Sequence, residues 1–96
     1  MSRFRAPFVP KPERLAMVRN ALRALRLTAA DPVELLRTME LNRYNEDGQA
    51  EDILHMLAIC SGGRVEGRGE KTYLLPPGSS VPVLAYNQDR MDWGWP

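Results

Sequence analysis

The sequence predicts a mainly α domain with a small β-hairpin: three helices and then two short strands, flanked by an extended N-terminal arm and a C-terminal tail. Three observations predict it. Apolar residues recur at helical spacing in three separate segments between Glu13 and Cys60. Proline, capping and glycine signals punctuate those segments. The stretch SGGRVEGRGEKTYLLPPG, Ser61 to Gly78, then switches to short β-prone runs around glycines and ends on two prolines.

Residues 1–12 read as a basic arm, because Pro7, Pro10 and Pro12 fix φ and disfavour helix in the residue before each. Residues 13–78 hold the three helices and the hairpin, and residues 79–96 form a C-terminal extension that packs on this domain or on a partner. The first helix is expected from Glu13 to Arg26, opened by Pro12, with Leu15, Val18, Ala21, Leu22 and Leu25 on one side and Arg19, Arg23 and Arg26 on another. The second starts at Asp31-Pro32, cap followed by first-turn proline, with Glu34 three residues after the cap and Leu35, Leu36 and Met39 inward.

NRYNEDGQ breaks the pattern with four turn formers, Asn42, Asn45, Asp47 and Gly48. The third helix runs from Gln49 to Cys60, burying Ile53, Leu54, Leu57 and Cys60, and stops at Ser61-Gly62-Gly63. Arg64-Val65-Glu66 and Lys71–Leu75 are the two strands, with Gly67-Arg68-Gly69 as the turn, and Pro76-Pro77 end the second. A further short strand is expected at Val81–Tyr86, followed by a tail containing Trp93 and Trp95.

Ninety-six residues suffice for one domain with a modest core. No apolar run reaches the roughly 18 residues of a membrane span, and the first twelve residues lack the apolar segment of a signal peptide. The lone Cys60 has no disulfide partner within the chain, which fits a reducing cytoplasm. No metal, cofactor or catalytic centre is expected. His55 and Cys60 are the single imidazole and thiol, neither CxxC nor HExxH spacing occurs, and no serine lies in a nucleophile motif. The chain is therefore read as a non-enzyme.

Charge is the most informative global feature. Residues 1–26 carry seven cations against Glu13 alone, residues 27–60 two cations against seven acids, and residues 61–96 four of each. Basic and acidic faces so separated suit association between two copies, or with a partner, because complementary potentials set register and speed encounter.

The stretch ILHMLAICSGGRVEGRGEKTYLL, Ile53 to Leu75, resembles the winged helix-turn-helix family. In it Gly63-Arg64-Val65 and Tyr73-Leu74-Leu75 fill the places of that family's first and second wing strands. The likeness spans residues 13–75 and leaves the C-terminal segment unexplained. It implies DNA binding, with the third helix in the major groove and the hairpin tip against the backbone.

On that implication Arg64, Arg68 and Lys71 of the hairpin, with Arg3 and Arg5 of the arm, would contact phosphates, and Gln49 and His55 would read base edges. The third helix itself argues the other way. It has neither lysine nor arginine and begins with Glu51 and Asp52, which repel phosphate. The alternative is a protein-interaction module of the same shape, an adaptor or inhibitor, that uses Glu51 and Asp52 together with Trp93 and Trp95 as contacts. The function expected first is a small nucleic-acid-binding regulator, dimeric in form, that contacts the DNA backbone through wing and arm; a module that docks another protein is the alternative.

Overall fold

The computed structural model describes residues 8–96. Helices α1 (Pro12–Ala24), α2 (Pro32–Leu41) and α3 (Gln49–Ser61) precede strands β1 (Arg64–Arg68), β2 (Lys71–Leu75), β3 (Leu84–Asn87) and β4 (Asp92–Gly94). The strands form one antiparallel sheet in the order β1-β2-β3-β4, and the whole is a winged-helix-like arrangement of three helices and a sheet. The expected hairpin is therefore half of a larger sheet, because the C-terminal segment adds two strands to it.

Local chemistry explains most boundaries. At α2 the Asp31 carboxylate accepts from the backbone N–H groups of Val33 and Glu34, and Pro32 takes the first helical position. Glu34 does not complete a reciprocal cap; it pairs with Arg37 one turn on. The start of α3 is built by a run of left-handed residues, Asn45, Asp47 and Gly48. The Asn45 side chain bridges their turn, accepting from Ala50 N–H at 2.9 Å. Gly62, at φ 77°, closes α3.

Helix α1 stops at Ala24, two residues short of the expected Arg26. Leu27 N–H bonds back to Leu22 and Arg26 N–H to Arg23, the paired bonds of a Schellman end, with Arg26 in the left-handed position at φ 58°. Glycine is the usual occupant there. Leu27 then packs against the core beside α1, which fixes the turn.

In the hairpin, Arg68 pairs with Lys71, so Gly67 and Arg68 belong to β1 and the turn residues are Gly69 and Glu70. The expected turn lay two residues earlier. Strand β3 begins at Leu84 instead of Val81, since Pro82 cannot donate to a ladder. A methyl group on Gly63 would collide with the Leu75 carbonyl, so the link between α3 and β1 requires glycine for close approach.

Leu74, Leu84, Tyr86 and Trp93 line the inner face of the sheet and meet Met17, Val18, Leu22, Leu36, Met39 and Leu54 from the helices. Tyr86 and Trp93 pack edge to face at 4.9 Å. Trp93 N–H donates to Met39 carbonyl oxygen at 3.1 Å, and Tyr86 O–H donates to the Arg43 carbonyl. Burial raises the Tyr86 pKa above its usual 10.0, with the nearby Asp92 carboxylate adding to the shift.

Candidate functional site

The outer side of α3 mixes polar, acidic and apolar residues, whereas its inner side is wholly apolar. Ala50, Ile53, Leu54, Leu57 and Ala58 are buried, while Gln49, Asp52, His55, Met56, Ile59 and Cys60 are exposed. Ile59 is 81% exposed and Met56 48%. These two lie three residues apart, so they adjoin on one helical face, with Asp52 and His55 a turn before them. Cys60 was expected inward but is exposed, because the buried stripe runs through Ala50, Ile53, Leu54, Leu57 and Ala58 and Cys60 falls at its edge in the last turn. Asp52 at the start and apolar groups toward the end make this surface half acidic and half greasy.

The candidate base-reading residues Gln49 and His55 both occupy α3 and are exposed. Glu51 is engaged internally, accepting from the Gln88 side chain at 2.7 Å, and Gln88 in turn accepts from Asn45. That chain ties the acidic end of α3 to the β3–β4 turn.

On the hairpin, Arg64, Glu66 and Arg68 alternate along β1 and share one face. Glu66 binds both cations, Arg64 at 2.9 Å and Arg68 at 3.0 Å, and the Arg68 hydrogen bond, then that of Arg64, lowers the Glu66 pKa. The Arg68 guanidinium also lies over the Tyr73 ring at 5.2 Å. The triad therefore presents one net positive charge where two free cations were expected. Lys71 has no ion-pair partner among the described residues; it lines a cavity of about 140 Å³ with Asn87, Asp92 and Trp95.

Trp93 is corrected from the set of partner contacts. It is 2% exposed, because β4 joins the sheet and turns its indole into the core. Trp95, just past β4, is 52% exposed and remains available. Arg3 and Arg5 lie outside the described residues.

Sequence reasoning missed Met56 and Ile59. The signal was present, since ILHMLAIC is apolar on more of the helix circumference than one buried stripe needs.

Two further features border α3 and α1. A cavity of about 500 Å³ lies between the C-terminal ends of the two helices, lined by Ala24, Arg26, Leu27, Cys60 and Pro76. Arg19 and Arg23 on α1, and Arg26 just past its end, are exposed and unpaired among the described residues. No group of three or more His, Cys, Asp or Glu side chains is placed to hold a metal ion among the described residues. No helix among them is long and apolar enough to cross a membrane. Comparison with protein-family models, curated proteins and solved structures finds no match to this chain.

Proposed function

We propose that this domain is a protein-interaction module whose docking face is the outer side of α3. One observation carries the reading: the helix that a winged-helix protein would place in a groove exposes Met56 and Ile59 and no cation. Removing one such side chain from water on docking is worth about 1.5–3 kcal/mol, whereas a phosphate backbone offers it nothing. Asp52 repels phosphate and suits a cationic partner. Trp95 is a secondary contact on another part of the surface.

A second reading, membership of the winged helix-turn-helix family with DNA contact through wing and arm, is supported by the exposure of Arg64 and Arg68. Phosphate would have to displace Glu66 from both.

The test compares wild type with Ile59→Asp, which alters an exposed position, with circular dichroism checking that the variant stays folded. The proposal expects an associated protein, a second copy or another chain, that wild type retains and the variant loses. Equal retention by both contradicts it. So does tight binding of random duplex DNA with a salt slope near −3 or steeper, the mark of three or more phosphate contacts.

A further inference from the structure

The unpaired charges of this fold are not scattered. Arg14, Arg37, Arg43, Arg64 and Arg68 all have carboxylate partners within the chain. Arg19 and Arg23 on the exposed side of α1, and Arg26 just past its end, have none among the described residues. The acids divide the same way: Glu34, Glu40, Glu66 and Asp92 are paired, while Glu46, Asp47 and Asp52, at and before the start of α3, are not. The other charges without an ion pair, Lys11, Glu13, Asp31, Glu51, Glu70, Lys71, Asp89 and Arg90, are of mixed sign, and of these Asp31 caps α2 and Glu51 is held by Gln88.

Two opposite, unsatisfied faces thus occur on one chain. Arg26 and Cys60 line one cavity, which sets the end of the basic row beside the C-terminal turn of α3, the end that carries Ile59. From this charge complementarity, and resting on the docking role of α3 proposed above, we infer that the occupant of the α3 face is a second copy of this chain. Arg19, Arg23 and Arg26 of one copy meet Glu46, Asp47 and Asp52 of the other. Met56 and Ile59 pack beside the exposed Ala16, Asn20 and Ala24 of the partner copy's α1, where small side chains leave room.

A two-fold axis makes this contact twice, α1 to α3 and α3 to α1, so each copy satisfies both of its charged faces. Such an interface weakens with salt, because exposed charges are screened within about 10 Å at 0.1 M ionic strength.

The two-fold arrangement has a distinctive test. One variant carries Arg19→Glu with Arg23→Glu, giving two acidic faces. A second carries Glu46→Lys with Asp52→Lys, giving two basic faces. Circular dichroism checks that each remains folded, and sedimentation velocity reads association. Wild type is expected to dimerise below about 100 µM. Each variant alone is expected to self-associate at least tenfold more weakly, and an equimolar mixture of the two to recover the dimer, since both contacts are again between opposite charges.

A monomeric wild type, variants that dimerise like wild type, or a mixture that stays monomeric would each overturn the second-copy assignment. These outcomes are separable from the fate of the α3 face. A monomeric wild type that still loses a different bound protein on Ile59→Asp keeps the docking role and removes only the occupant. A dimer indifferent to Ile59→Asp removes the docking role itself.

Discussion

The Arg14 guanidinium donates through Nη1 to the carbonyl oxygen of Trp93 at 2.6 Å, across 79 residues of sequence. Its other nitrogens bind Asp92 at 3.1 Å and Glu40 at 3.3 Å, so one side chain of α1 holds both α2 and the edge strand β4. Arg43 reaches Asp92 from beyond α2 at 3.4 Å. Without this clasp the three-residue β4 would depend on its few ladder bonds and the buried indole.

Arg14→Ala is therefore expected to destabilise the fold by about 2–3 kcal/mol, the range for losing charge-assisted bonds in a partly buried site. Arg14→Lys keeps the charge but not the fork and should recover less than half. Urea unfolding of the three proteins, at constant m-value, checks both.

Arg26 occupies a left-handed position that costs a side-chain-bearing residue about 1–2 kcal/mol relative to glycine. Arg26→Gly should raise the stability of the isolated chain by about 1 kcal/mol, seen as a melting temperature 4–8 °C higher. If Arg26 is kept for contact with a second copy, the same variant should weaken self-association. A gain in stability with unchanged association would leave Arg26 without a binding role.

The raised Tyr86 pKa has a definite pH consequence. Its protonated form is favoured in the folded state, so the contribution is complete below pH 10.0, the ordinary tyrosine value, and is lost as pH climbs through the raised one. Thermal melts of wild type should fall in this alkaline window. Tyr86→Phe should start less stable, having lost its bond to the Arg43 carbonyl, and should show a flatter alkaline decline.

Glu66 restrains the hairpin cations. With its pKa lowered by Arg68 and Arg64, the pairing is complete above the ordinary glutamate value and is lost as pH falls through the depressed one. Glu66→Gln should release both arginines at neutral pH. Its affinity for random duplex DNA should exceed that of wild type, with a salt slope steeper by up to about two units. Equal slopes would mean that wing cations and phosphates do not meet even when freed.

Much of the architecture was legible in the sequence where the signal was local. Asp31-Pro32 announced α2, Gly62 ended α3, and the prolines after Leu75 ended β2, because each acts through its own backbone geometry. The last strand was not legible. DWG is too short to show alternation, and what holds it in place is Arg14, Met39 and Tyr86, far away in the chain. The same distance hid the bonds of Asn45 to the first turn of α3 and left Trp93 open between the core and a partner. The outward position of Ile59 was recoverable from helical phase, since Cys60 and Ile59 could not both lie inward with Ile53 and Leu57.

The most direct test is the amide ¹H–¹⁵N spectrum of the pure chain recorded from low to high protein concentration. Concentration-dependent shifts in Asp52, His55, Met56 and Ile59, with matching shifts in Arg19 and Arg23, are the expected result. Signals of α3 that stay fixed with concentration, yet move saturably when random duplex DNA is added, would contradict the assignment of this helix to protein contact.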